Sequence, residues 1–263
     1  MKFSDDEIRD YWRNQAVSFG DDHRASWTDR HAIDLEVAAI SDRLRDGMRV
    51  IDIGCANGFA TLSYARRFRL DIKGVDYIPE MIAAAKERLA ALAVPPAGEV
   101  AFATGDILSL EEPDGHYDTA IVTRVVINLG ERDKQIAAIR GAARVVRSGG
   151  RLLVSEATHE GLDRLNALRA EWGLAAIPEP RFNNYVDDDL MRSAAPDLLE
   201  LEEVSNFSST YFVGTRVLKP LLASLLGDKV DAARPDMEWN RFFSMLPAGG
   251  DYGTQKLFVF RRK

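Results

Sequence analysis

The sequence predicts an α/β fold in which a mostly parallel sheet carries helices on both faces and a helical cap on one end. Short β-branched runs alternate with helix-period segments over residues 49–157, the rhythm of strands joined by crossover helices. The first of these strands runs into a turn bracketed by Gly54 and Gly58, where the backbone can bend sharply and approach a bound molecule. The next two strands end at acidic residues, Asp76 and Asp106, and ligands of open parallel sheets collect outside the carboxyl ends of the strands.

Each element has a local reason. Ser4-Asp5-Asp6-Glu7 is a capping box, and the stripe Ile8, Tyr11, Trp12 continues it as a short N-terminal helix. Residues 18–28 are polar and turn-rich, and a second helix is expected from about Asp29 to Arg45 with Ile33, Val37, Ile40 and Leu44 on one face. Val50, Ile51 and Ile53 make the first strand. Phe59, Leu62, Ala65 and Phe68 then keep helical spacing, so that helix turns its N-terminal amides back toward the glycine turn. Asp71 to Val75 is the second strand, closed by Asp76, about twenty residues beyond the turn, where a carboxylate can accept ribose hydroxyls. Pro79 suits a first helical position and Pro95-Pro96 stops that helix.

Val100 to Thr104, Thr119 to Val122 and Arg151 to Ser155 are the next strands, with a helix from Glu131 to Val146 before the last of them. Beyond Glu156 the rhythm changes. Helices over Gly161–Trp172 and Asp187–Ala194 flank a proline-containing loop, Ile177–Asn184, and strands at Leu199–Val204 and Gln255–Arg261 enclose an insertion, Ser205–Tyr252. That insertion holds an apolar helix, Tyr211–Leu226, and a second segment, Met237–Met245. Long ordered loops in compact domains are usually functional, so it reads as an acceptor-binding cap, with packing or dimerisation as the competing reading.

The stretches Val50 to Thr61, Gly74-Val75-Asp76-Tyr77, Gly105-Asp106-Ile107 and Arg147-Ser148-Gly149-Gly150 resemble, in order and spacing, the class I S-adenosylmethionine-dependent methyltransferases, over roughly residues 30–158. The resemblance implies a Rossmann-like seven-stranded sheet with an antiparallel last strand, S-adenosylmethionine as cofactor and S-adenosylhomocysteine as product. It implies that Gly54, Cys55, Ala56, Asn57 and Gly58 lie against the methionine part, that Asp76 holds the ribose, and that Asp106 with Ile107 frames the adenine. Asp52, Tyr77, Met81, Gly105 and Arg124 complete the expected cofactor set. Ala56 stands where a middle glycine is usual, narrowing the turn by a methyl group, and Ser148 replaces a usual proline without expected effect. A looser resemblance, in Ser208 to Phe212 and Gly250 to Leu257, to bacterial members of sugar, surface-polysaccharide and natural-product pathways implies a small polar acceptor.

Composition bounds the class. The 263 residues, 46 % hydrophobic and 29 % charged, read as one soluble methyltransferase domain. Within it, residues 1–30 form an N-terminal lid, 31–158 the cofactor-binding core, 159–196 a cap, and 197–263 the last two strands with the 205–252 insertion. A net charge of −7 argues against a nucleic-acid partner gripped through phosphates. No apolar run approaches the roughly 20 residues of a membrane span, and the acidic N-terminus lacks a signal-peptide pattern, so a cytoplasmic protein is expected. The lone Cys55 forms no intrachain disulfide and no metal-ligand cluster, and no metal is expected. A small-molecule acceptor is the expected partner, with a homodimer as a further possibility.

Methyl transfer from a sulfonium is an in-line displacement, so bringing the reactants together supplies most of the catalysis and a base is optional. Candidate bases are His159, placed just past a strand end, then Glu156 and His23. His23, Arg24, Ser26 and Trp27, on the segment between the first two helices, are candidates for closing the site. Arg24 and Trp27, with Asn128, Tyr185, Tyr211 and Arg216, are candidate acceptor contacts, and Arg124 is a candidate to orient an anionic acceptor or the cofactor's carboxylate. A nicotinamide-dependent oxidoreductase shares the first strand, the turn and Asp76 but gives no reason for Gly105-Asp106. A protein or RNA methyltransferase, or a non-catalytic cofactor-binding regulator, are the other readings.

Overall fold

The computed structural model describes residues 2–227 and 231–263; the part of the expected insertion at 228–230 lies outside the described residues. Seven strands, β1 (Arg49–Ile53), β2 (Asp71–Asp76), β3 (Glu99–Thr104), β4 (Tyr117–Thr123), β5 (Val146–Ala157), β6 (Leu199–Ser205) and β7 (Gln255–Arg262), form one sheet in the order β3-β2-β1-β4-β5-β7-β6. Pairing is parallel from β3 across to β5, and β7 runs antiparallel to both β5 and β6. The expected seven-stranded sheet with an antiparallel last strand is therefore present.

Consecutive residues of the central strands enter opposite layers, which is why those strands read as unbroken apolar runs. Ile51, Ala120, Val122, Leu152 and Val154 pack on one face against α5 (Arg132–Val145), while Val50, Ile121 and Leu153 pack on the other against α2 (Arg30–Ser41) and α3 (Phe59–Arg67). Helix α4 (Pro79–Ala90) starts at Pro79 as expected. Two boundaries differ most from the sequence reading. β5 begins at Val146, five residues early, because Val146 pairs with Tyr117 across a register shift before the main ladder starts at Thr119. Helix α2 stops at Ser41, although Leu44 beyond it is still buried.

The capping box forms as expected and starts α1 (Asp5–Phe19): Glu7 N–H donates to Ser4 Oγ, and Ser4 N–H to Glu7 Oε2 at 2.7 Å. This helix is strapped across the carboxyl ends of the strands. Lys134 of α5 donates to Asp5 at 2.7 Å, Lys2 pairs with Glu179, and the Tyr11 ring stacks on Phe182 with centroids 4.5 Å apart. Helices α6 (His159–Glu171) and α7 (Asp188–Ser193) follow β5. The insertion carries α8 (Ser209–Phe212), a π turn (Val213–Leu218) and α9 (Lys219–Leu226) in one run, then α10 (Glu238–Ser244). Gly214 in the π turn is where α10 presses closest: a Cβ there would stand 2.0 Å from the Phe243 ring, and Trp239 Nε1–H donates to the Gly214 carbonyl at 2.9 Å. Among the described residues no helix is long and apolar enough to cross a membrane.

Candidate active site

The sheet order reverses between β1 and β4, and the cleft opens there. At the end of β1 the chain turns through Gly54 at φ +78°, Ala56 at +47° and Gly58 at +72°. Gly54 has no room for a side chain, since a Cβ would stand 2.1 Å from Val125 Cγ2, and at Gly58 one would stand 2.7 Å from Phe102. Asp76, at the end of β2, holds this turn in shape: Oδ2 accepts from Ala56 N–H and Oδ1 from Ile78 N–H, both at 2.9 Å. Asp106 closes β3 in the same way, accepting from Leu108 N–H at 2.9 Å.

These elements enclose a cleft of about 250 Å³. Asp52, Gly54, Cys55, Ala56 and Asn57 line it beside β1, Asp76, Tyr77 and Met81 beside β2, Gly105, Asp106 and Ile107 beside β3, and Arg124 beyond β4. Of the residues expected to bind cofactor, only Gly58 stays behind the lining, where it caps α3. Burial pushes the carboxyls of Asp52 and Asp76 up to about 6; for Asp52, a hydrogen bond from Thr61 Oγ1 at 2.6 Å works against burial, and the nearby charges of Asp76 and Glu36 work with it.

Ala56 is an L-residue in left-handed backbone at the position where the resemblance expected glycine. That conformation costs about 1–2 kcal/mol, of which a glycine would return part as lost backbone entropy. Ala56→Gly is therefore expected to stabilise by about 0.5–1 kcal/mol, raising the melting temperature by about 1–4 °C. A fall in melting temperature in thermal unfolding would show that the methyl group makes packing contacts worth more than the strain.

The lid is built differently from the sequence reading. Asp5, Asp6, Ile8, Arg9 and Trp12 of α1 line the cleft, as do Ser26 and Lys134. The sequence reading expected a lid over residues 1–30 and Ser26 among its closing residues; from α1 itself the apolar stripe pointed here through Ile8 and Trp12. His23 and Arg24 lie outside the lining and turn to Asp22, at 3.2 and 2.9 Å. Asn57 joins the glycine turn to this segment, its Nδ2 donating to the carbonyls of Gly20 and Asp22.

The catalytic and acceptor expectations meet a mixed outcome. Glu156 does not face the cleft: it is fully buried, and its carboxylate accepts from the N–H groups of Val125, Val126 and Ile127. Burial pushes its carboxyl up to about 8 against the pull of those amides. The expectation of a base at Glu156 is thus corrected to a buried brace for the loop after β4. His159 opens α6 with its ring 6.0 Å from that of Tyr185, and neither residue lines the cleft. Asn128 lines it, with Nδ2 donating to the Arg124 carbonyl. Tyr211 and Arg216 are directed elsewhere: Tyr211 Oη–H donates to Asp29 Oδ1 at 2.6 Å, and Arg216 pairs with Asp29 Oδ2 at 2.9 Å. Both fasten the insertion to Asp29, the cap of α2, so the expectation that they touch the acceptor is corrected. Trp27 lies under the Arg124 guanidinium, 5.0 Å from the ring centre.

Sheet order, glycine turn and strand-end acids together define a class I S-adenosylmethionine-dependent methyltransferase. The family model described as a methyltransferase domain matches residues 44–181, and the chain belongs to that family. Methyltransferase GfsG of Streptomyces halstedii is 26 % identical, with 92 % of this chain and 91 % of that protein covered. Demethylmenaquinone methyltransferase of Thermus thermophilus is 30 % identical over 54 % of this chain and 58 % of its own length. Among solved structures, magnesium protoporphyrin IX methyltransferase from Synechocystis with bound S-adenosylhomocysteine superposes with a TM-score of 0.55 at 18 % identity, covering 88 % of this chain and 82 % of that one. The cyclase SpnF superposes at 0.56 and 22 % identity, covering 91 % and 84 %. At those identities the superpositions speak for the fold alone.

Proposed function

We propose that this enzyme transfers the methyl group of S-adenosylmethionine to an oxygen or nitrogen of a small polar metabolite or saccharide. The observation that carries the acceptor size is the position of α1: its Asp5, Arg9 and Trp12 roof the cleft, and the strap from Asp5 to Lys134 narrows the entrance. Such a roof favours a small acceptor over a folded macromolecule. The overall similarity to GfsG, also a methyltransferase, supports methyl transfer as the reaction.

Bound cofactor supplies an electrophilic methyl group on a sulfonium. The chain's own part in this reading is placement. Asp76 accepts ribose hydroxyls while keeping the turn at Ala56 closed, Asp106 and Ile107 border the adenine, and the turn from Gly54 to Asn57 meets the methionine end. Holding nucleophile and methyl group in line within a water-poor cleft supplies most of the rate, and a nucleophile that is already deprotonated needs no base. Among the described residues no histidine lines the cleft.

Calorimetric titration with S-adenosylmethionine, S-adenosylhomocysteine and NAD in parallel tests the site. Binding of the first two and not of NAD is expected, and turnover of a sugar or small amine from a panel is expected to follow. Binding of NAD alone overturns the reading; cofactor binding without turnover of any acceptor favours a regulator.

A further inference from the structure

Six of the eleven large apolar side chains left exposed among the described residues fall between residues 218 and 245 of the insertion. Leu218, Leu222, Leu225 and Leu226 lie at the end of the π turn and along α9, and Phe242 and Met245 lie on and just after α10. The other five are scattered through the chain, as single exposed hydrophobes ordinarily are. The four leucines recur at i, i+4, i+7 and i+8, which sets them in one stripe along the helix, and they are 38–77 % exposed.

The stripe is held firmly from behind. Lys219 Nζ donates to Asn240 Oδ1 at 2.7 Å, Asn240 Nδ2 donates to Tyr211 Oη at 2.9 Å, and Tyr211 donates in turn to Asp29. Helix α10 packs on the π turn through Phe243, and Phe242 stands edge-on to Phe243 with centroids 5.5 Å apart. The six side chains leave on the order of 600 Å² of apolar surface in water, at the upper end of what a monomer ordinarily exposes. Two such faces together would remove about 1,200 Å², where stable specific interfaces begin.

A lipid surface does not match this face. Helices that lie in a membrane interface flank their apolar side with Lys and Arg, whereas Lys219 of α9 is 5 % exposed and turned inward. The net charge of −7 also opposes an anionic membrane. Two ion pairs border α10, Arg234 with Asp236 and Arg241 with Glu238, and all four side chains are more than half exposed. Paired charges of this kind can exchange partners across a two-fold axis, each arginine reaching an acid of the other copy.

We propose that this face joins two copies of the chain, with α9 packed antiparallel on its counterpart about a two-fold axis close to Leu222. Leu218 of each copy then meets Leu225 and Leu226 of the other, and the contact closes on itself at two copies. None of the six side chains lines the cleft, so the proposal stands apart from the cofactor reading.

Analytical ultracentrifugation of the full chain at micromolar concentrations tests it, and a species of twice the chain mass is expected. Leu222→Glu is expected to raise the dissociation constant of the dimer by about 100-fold or more, since the axis brings two carboxylates together in an apolar contact. Leu225→Glu, at the most exposed position of the stripe, is expected to act likewise. Circular dichroism of both variants should match wild type, because each side chain already meets water in the single chain. Leu222→Cys is expected to crosslink to its counterpart on oxidation, whereas Val94→Cys, an exposed position far from the stripe in sequence, is not; the native Cys55 is buried. A wild-type chain that stays single throughout the micromolar range overturns the proposal, as does a dimer that survives both glutamates. Flotation of wild type, and not of Leu222→Glu, with vesicles of phosphatidylcholine and phosphatidylglycerol gives the face to a lipid surface and overturns it too. A dimer without the Leu222→Cys crosslink overturns the antiparallel arrangement.

Discussion

Asp76→Asn is expected to weaken S-adenosylmethionine binding by about 10- to 100-fold, the loss that follows when hydrogen bonds to a charged acceptor are removed. Asparagine is the better probe than alanine. Both carboxylate oxygens of Asp76 accept backbone amides, from Ala56 and Ile78, and alanine would leave both amides without their acceptor at about 1–3 kcal/mol each. Wild-type affinity should also depend on pH. In the proposed site the ribose hydroxyls would donate to a charged carboxylate, and burial has raised that carboxyl to about 6, so affinity is expected to fall as pH drops through about 6. Stability moves the other way. The folded state keeps the proton that the unfolded chain releases above 3.8, so the contribution of Asp76 to stability grows as pH falls from 6 toward 3.8. Calorimetry and thermal unfolding over pH 5–8 read the two trends separately. A binding curve flat through pH 6 would remove Asp76 from the ribose.

Glu156→Ala is expected to cost about 3 kcal/mol or more, because three buried amides lose their acceptor at once. The melting temperature should fall by about 6–12 °C, at about 2–4 °C per kcal/mol for a chain of this size. Glu156→Gln keeps an acceptor in place and should cost less. Its signature is in the pH profile. A carboxyl held near 8 when folded and near 4.5 when unfolded favours the folded state most at low pH, and that contribution is lost as pH rises through about 8. Glutamine removes that slope, so the variant should gain on wild type between pH 7 and 9. Equal pH profiles for the two proteins would show that Glu156 does not titrate in that range.

The strands and the glycine turn were legible because their signals are local: β-branched runs, glycines at fixed spacing, an acid at each of two strand ends. The same local reasoning located α1 through its capping box. What it missed depends on partners far away in the chain. Nothing near Glu156 announces that the amides of residues 125–127 converge on it, and the Val-Ser-Glu stretch reads as an ordinary strand end. Tyr211 and Arg216 looked free for an acceptor because Asp29, their partner, lies 182 and 187 residues earlier. The N-terminal lid was expected, but the strap that fastens it escaped notice for a similar reason: Asp5 and Lys134 are separated by 129 residues, and each alone is an ordinary charge on a helix surface.

The sheet order has a consequence for how the chain comes to be folded. Strand β7 lies between β5 and β6, yet it is the last of the three to leave the ribosome. Until it arrives, β6 has no neighbour to pair with and β5 presents an open edge, and such edges invite pairing with other chains. At about 5–20 residues per second, the roughly fifty residues separating β6 from β7 leave β5 uncovered for seconds during synthesis. β6 carries Glu200, Glu202 and Glu203, and charges of that kind on an unpaired strand work against its pairing with other chains.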